Sequence, residues 1–181
     1  IRMPTENEIK YLLHNHPAVE AEIIQASKTY YDIDQGYLAN GDGWNCRIRK
    51  MDEGKSSGPR YFYTYKNYAN GRLIEIETEI DDRDYYDLFT SCKEVLQKRR
   101  FIIPFYGLTW EIDFYTDRTK NKEVYCILAE VELPEGTKLP HGIPTVIQKN
   151  LIQNNPVDPQ VFGARKLADP KYASKQIERH L

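Results

Sequence analysis

The chain has 181 residues, with 25 Lys and Arg against 27 Asp and Glu and a formal charge of −2. That length suits one domain with a sizeable core, and the charge balance argues against both a basic duplex-binding surface and an acidic disordered tail. Apolar runs of only a few residues leave no expectation of a membrane span or signal peptide, and Cys46, Cys92 and Cys126, which lack metal-ligand spacing, read as reduced thiols of a cytoplasmic protein.

In chain order, alternation at period two, the strand period, predicts strands over 5–13, 28–39, 44–51, 59–67, 71–80, 96–104, 108–116 and 122–133. Turn signals separate them, among them Asn40-Gly41-Asp42-Gly43, Asn70-Gly71 and Pro134-Glu135-Gly136. Pro17 to Ser27 and Asp82 to Glu94 read as helices. After Pro140 the chain carries Pro144, Pro156, Pro159 and Pro170, so residues 140–181 are predicted to be short helical pieces wrapped on the outside. The expected fold is mainly β with peripheral helices. Eight strands form an antiparallel meander, closed into a tunnel-like barrel that hides its edges, in one domain over 1–181.

The charges repeat with the strands. Glu6, Glu8 and Lys10 share one face of the first, Arg47 and Arg49 one face of the third, and Glu75, Glu77 and Glu79 one face of the fifth. Lys98 and Arg100 do so in the sixth, Glu111 and Asp113 in the seventh, and Glu130 and Glu132 in the eighth. Taken singly, each strand fits a half-buried sheet with its charged face in water. Taken together, some strands are acidic and others basic, and like charges at i and i+2 repel unless opposite charge lies between them. A barrel with its charged faces turned inward meets that need. Glu-x-Glu sets two carboxylates about 7 Å apart along a strand, which suits Mg²⁺ or Mn²⁺, and arginine forks suit a polyphosphate. Phosphoryl transfer needs little more than positioning and charge neutralisation. No P-loop, Gly-x-Ser-x-Gly or Cys-x-x-Cys motif competes. His14 and His16 read as surface residues at a strand end, and His141 and His180 join no cluster.

These residues resemble the CYTH superfamily, the triphosphate tunnel metalloenzymes. Glu6-Asn7-Glu8-Ile9-Lys10 fits the Glu-x-Glu-x-Lys signature. Gln35-Gly36-Tyr37-Leu38, Arg47-Ile48-Arg49, Thr64-Tyr65-Lys66, Glu75-Ile76-Glu77 and Lys98-Arg99-Arg100-Phe101 follow in the family's order, then Trp110 to Phe114 and Ala129 to Leu133. The tail Asp169-Pro170-Lys171-Tyr172 resembles a segment of the bacterial inorganic triphosphatase branch. The resemblance implies a tunnel barrel that binds a triphosphate-containing small molecule and Mg²⁺ or Mn²⁺, with no membrane or duplex nucleic acid as partner. It implies Glu6, Glu8, Glu130, Glu132 and Asp113 as metal ligands, Asp113 and Glu111 serving equally to neutralise the arginines. Lys10, Arg47, Arg49, Lys66, Lys98 and Arg100 would cradle phosphates. Tyr37, Lys66, Lys10, Glu75 and Glu77 would stand near the scissile bond.

Either Arg99 or Arg100 is the inward cation, Arg72 lacks the parity of the acidic face, and Pro17 to Ser27 is an addition that caps one tunnel mouth. The expected reaction is metal-dependent hydrolysis of inorganic triphosphate or a related short linear triphosphate. The alternatives are class IV adenylyl cyclisation of ATP, hydrolysis of thiamine or nucleoside triphosphate, and binding of polyphosphate or nucleotide without turnover.

Overall fold

The computed structural model describes residues 7–181, so Glu6 lies outside the described residues. Eight strands form one antiparallel sheet: β1 (Glu8–Leu13), β2 (Thr29–Gly41), β3 (Trp44–Asp52), β4 (Arg60–Ala69), β5 (Arg72–Ile80), β6 (Glu94–Phe105), β7 (Leu108–Asp117) and β8 (Glu123–Glu132). Five helices accompany it: α1 (Pro17–Ala26), α2 (Asp82–Phe89), α3 (Thr145–Gln148), α4 (Ala164–Leu167) and α5 (Pro170–Glu178). The mainly β architecture with peripheral helices is therefore the one expected. No helix among the described residues is long and apolar enough to cross a membrane.

The path differs from a continuous meander. The strand order is β1-β8-β7-β6-β2-β3-β4-β5, two meanders (β2 to β5 and β6 to β8) joined through the β2–β6 pair, with β1 added beside β8. Every neighbouring pair is antiparallel, so β1 and β2 run the same way, as do β5 and β6. A tight turn cannot link strands of like direction; a crossover can. α1 and α2 are those crossovers. His16 Nδ1 caps α1 by accepting from Ala18 N at 3.2 Å, with Pro17 in the first turn, and Asp81 caps α2 by accepting from Asp84 N at 2.7 Å. The second helix stops at Phe89, short of the predicted Glu94, because Glu94 already pairs with Tyr37 as the first residue of β6.

Turn chemistry sets two of the hairpins. Asn70 and Gly71 take φ of 52° and 71°, and Tyr106 and Gly107 take 48° and 75°, so both turns place two central residues in the left-handed region. Their twist matches the flanking strands, and Tyr106 keeps its ring in water at 86% exposure.

Alternation divides the side chains between two faces. On the convex face, Tyr11, Phe101, Trp110, Ile112, Phe114 and Val131 form a core under α1 and α3, which supply Val19, Ile23 and Ile147. On the concave face, Leu12, Tyr37, Leu96, Tyr115 and Leu128 pack against Val157, Phe162, Leu167 and Ala173. The chain after Pro140 thus does more than wrap the outside: its 157–173 stretch fills one end of the concave face. Asp169 accepts from Lys171 N at 2.9 Å as the N-cap of α5, and Tyr172 donates to the Val161 carbonyl at 2.8 Å. The tail motif noted in the sequence is therefore also a cap and a brace for this stretch.

β1 and β5 are the sheet edges and are not hydrogen-bonded to each other among the described residues. Curling nevertheless brings side chains of all eight strands to one cavity, so the sheet is tunnel-like without closing its ladder.

Gly36 sits where β2 meets the α2–β6 connection. A Cβ there would stand 2.5 Å from Cys92 Sγ and 2.9 Å from Cys92 Cβ. Gly36→Ala is expected to destabilise the fold by about 1–3 kcal/mol, the usual range for overpacking. Cys92→Ala in the same chain should recover part of that loss in urea unfolding; no recovery would place the cost elsewhere.

Candidate functional site

The concave cavity has a volume of about 540 Å³. Basic strands form one wall and acidic strands the other, because the sheet order places β6 and β2–β3–β4 on one side of β7–β8–β1. Of the predicted residues, Glu8, Lys10, Tyr37, Arg47, Arg49 and Lys66 line it, and so do Glu75, Lys98, Arg100, Glu130 and Glu132, together with Glu111. Asp113 lies beneath the cavity floor, fully buried. Glu77 is exposed on β5 and accepts from Thr64 Oγ1 at 2.7 Å, and it does not line the cavity.

The floor is a buried ionic cluster. Asp113 takes Lys98 Nζ at 2.6 Å and a two-pronged contact from Arg100, Nε at 2.7 Å and Nη2 at 2.8 Å. Burial opposes ionisation of Asp113, but Arg100 and Lys98 outweigh it and hold the carboxyl well below its usual range. Arg100 also reaches Glu111 at 2.6 Å and Glu130 at 3.8 Å. Burial pushes the Glu111 carboxyl up, against the pull of Arg100. Burial and the charge of Arg100 bring the Lys98 ammonium down to about 8 despite Asp113 and Glu130.

Lys10 bridges the acidic wall, 3.4 Å from Glu8 and 3.3 Å from Glu130, and reaches the Phe162 carbonyl at 3.4 Å. Burial lowers its affinity for a proton, yet the two glutamates more than compensate and hold it above the ordinary lysine value. Lys66 stands 4.0 Å from Glu75 on the neighbouring strand.

The arginines of β3 differ from these. Neither Arg47 nor Arg49 forms an ion pair with a carboxylate among the described residues. The buried Nε of Arg47 has no hydrogen-bond partner, and Arg49 Nε donates to the neutral amide oxygen of Gln35 at 2.7 Å. Burial, followed by repulsion from Arg47 and Arg100, pulls the Arg49 guanidinium down to about 9. Two half-buried, like-charged guanidiniums facing a cavity form an electrostatically costly arrangement that an anion would relieve.

Glu8, Glu111, Glu130 and Glu132 also line an adjoining cavity of about 410 Å³ beside the β6–β7 turn. Their hard oxygen donors are the type Mg²⁺ and Mn²⁺ take. Among the described residues no three Asp, Glu, His or Cys side chains are grouped closely enough to hold an ion; instead Glu8 and Glu130 lean on Lys10. The donor chemistry of these glutamates fits a divalent cation.

Arg99 faces outward, paired with Asp32 at 2.7 Å and stacked over Tyr30, which leaves Arg100 as the inward cation. Sequence reasoning did not name Asn45, Tyr68, Arg165 and Lys166, which also line the cavity. Asn45 and Tyr68 share parity with Arg47 and Lys66 and were recoverable from it. Arg165 and Lys166 belong to α4, where no strand period points to the sheet. Arg165 is anchored to Glu94 at 3.3 Å.

No family model matches the chain. It is 26% identical over 133 residues to a protein named inorganic triphosphatase from Acetivibrio thermocellus, covering 66% of this chain and 79% of that one. The chain is thus similar to an inorganic triphosphatase. Among solved structures, the PH1012 protein of Pyrococcus horikoshii OT3 has a TM-score of 0.49 and 18% identity, covering 72% of this chain and 80% of that one. A conserved hypothetical protein of Pyrococcus furiosus has a TM-score of 0.48 and 16% identity, covering 72% and 81% respectively.

Proposed function

We propose that this cavity binds a short linear triphosphate, inorganic triphosphate first, and hydrolyses it with the help of Mg²⁺ or Mn²⁺, as in the triphosphate tunnel metalloenzymes. The observation that carries the reading is the pair Arg47 and Arg49, which face the cavity without a carboxylate partner among the described residues while a glutamate wall stands opposite. Similarity to a protein named inorganic triphosphatase supports the same chemistry at the level of the family.

Arg47 and Arg49 bind non-bridging phosphate oxygens with their planar forks. Arg100 and Lys98, fixed by Asp113, present a rigid cationic floor whose geometry is set before the anion arrives. Lys10 exchanges part of its contact with Glu130 for the anion. Glu8, Glu130 and Glu132, with Glu6, would hold the metal, which when bound supplies charge neutralisation and polarises the phosphoryl oxygens. Asp113 has its oxygens taken by Lys98 and Arg100, and its part is to position them. Lys66 and Tyr37, which line the same cavity, would contact the scissile phosphate. Glu75, beside Lys66, accepts a proton from water as the water oxygen bonds to the terminal phosphorus. The bond from that phosphorus to its bridging oxygen breaks, giving orthophosphate and pyrophosphate.

The test is a substrate panel of tripolyphosphate, ATP and thiamine triphosphate, each with Mg²⁺ or Mn²⁺, with every product identified chromatographically. Equimolar orthophosphate and pyrophosphate from tripolyphosphate is the expected result. Cyclic AMP from ATP without free phosphate would replace hydrolysis by cyclisation, and tight binding of every compound without products would leave a binding protein.

A further inference from the structure

Gln35 is fully buried, with a relative exposure of 0%, and its amide has two partners. Arg49 Nε lies 2.7 Å from Oε1, and Tyr37 Oη lies 2.7 Å from Nε2. The orientation of the amide follows from chemistry: an arginine Nε carries a hydrogen and can only donate, so the oxygen of Gln35 must face it. The amide nitrogen is thereby turned to Tyr37, where it donates to the phenol oxygen. With that oxygen accepting from Gln35, the phenol's own hydrogen is free for a group in the cavity, which Tyr37 lines.

A neutral amide differs here from the carboxylate that usually holds an arginine. A carboxylate would hold Arg49 equally well while cancelling its charge, and it would draw the Tyr37 hydrogen to itself. Asp113 treats Arg100 in the first of these ways, two strands away.

We propose that Gln35 is a positioning residue that aims Arg49 at the bound phosphate without neutralising it and sets Tyr37 as a hydrogen-bond donor to the same anion. This rests on the triphosphate reading above and adds to it how the basic wall stays charged. Its consequence is selectivity for fully ionised phosphate oxygens, which accept from both groups, over ligands that present a donor at that point.

The experiment measures binding of sodium tripolyphosphate by calorimetry in chelator, and steady-state hydrolysis with Mg²⁺, for wild type, Gln35→Glu, Gln35→Met, Tyr37→Phe and the Gln35→Glu/Tyr37→Phe double variant. Gln35→Glu is expected to bind at least tenfold more weakly at pH 8. The ratio to wild type should recover as pH falls, because a protonated Glu offers the same acceptor and donor as Gln. The charged and titratable groups acting on Arg49 are Arg47, Arg100, Tyr37 and Asp113, with Lys98 beside Asp113, and the ratio to wild type at each pH removes any pH effect that both proteins share. Tyr37→Phe should cost less in the Gln35→Glu background than in wild type, since there the hydroxyl is already turned away. Gln35→Met, neutral and of similar length, serves if Gln35→Glu does not fold, and should also weaken binding because it orients neither partner.

A Gln35→Glu or Gln35→Met protein that folds and binds within twofold of wild type at pH 8 overturns the proposal. So does a loss that is independent of pH and additive with Tyr37→Phe. Wild-type protein that binds no tripolyphosphate overturns the underlying triphosphate reading, and this proposal with it.

Discussion

Asp113→Ala should be the most destabilising single substitution in the site, by about 3–5 kcal/mol, because it leaves two buried cations without their carboxylate. Lys98 and Arg100 are 2% and 9% exposed, and Asp113 is the carboxylate they share, held by Lys98 at 2.6 Å and by Arg100 through two contacts. Urea unfolding at pH 7 is the check, and a loss below 1 kcal/mol would mean that Glu111 and Glu130 suffice to hold the pair. The pH dependence has a definite sign. The folded carboxyl is depressed below its ordinary value of 3.8. Its contribution is therefore complete above about pH 4 and is lost as pH falls through the folded value. Asp113→Asn should flatten that acidic limb of the stability curve while leaving the shape of the cavity unchanged.

Arg49→Ala is expected to act in the opposite sense on stability and more severely on function. A half-buried guanidinium beside Arg47 and Arg100, with an amide as its one partner among the described residues, destabilises the unliganded protein. Its removal should leave the unfolding midpoint unchanged or slightly raised. Turnover of tripolyphosphate should nevertheless fall about 10²–10³-fold, the range for loss of one preorganised charge-stabilising donor. The thermal shift produced by tripolyphosphate should shrink in parallel, since ligand stabilisation tracks affinity. An Arg49→Ala protein with wild-type kcat/KM would remove this arginine from the site. Together the two variants separate the roles of cations on one cavity wall: Arg100 is compensated in advance by Asp113, whereas Arg49 awaits its counter-charge from the ligand.

The charges balance across the whole chain, 25 against 27, but they do not balance place by place. On the floor each cation has its carboxylate; on β3 none does among the described residues. Near-neutrality overall is thus compatible with a strongly cationic patch facing an acidic one, which is the arrangement a metal–polyanion complex requires.

Much of this was determined by the sequence alone. Period-two alternation is a local property of the chain, so the eight strands, their inward parity and the clustering of Glu8, Arg47, Lys98 and Glu130 on one face followed from spacing. The order of the strands was not determined locally. The crossovers at α1 and α2, which carry the chain between strands of like direction, depend on where in the sheet each one lands, and alternation carries no information about that.

The same holds for the individual charges. Parity placed Asp113 and Glu111 on one face, but only the packing of β6 against β7 showed Asp113 buried under Arg100 and Glu111 nearer the opening. Only the tertiary structure separated Arg100 from Arg99, set Glu77 apart from the cavity, and brought Arg165 and Lys166 in from a segment 60 and more residues beyond β6. A strand's period specifies which way a side chain points; what it meets there depends on neighbours distant in sequence, and their positions are set by burial of the whole core.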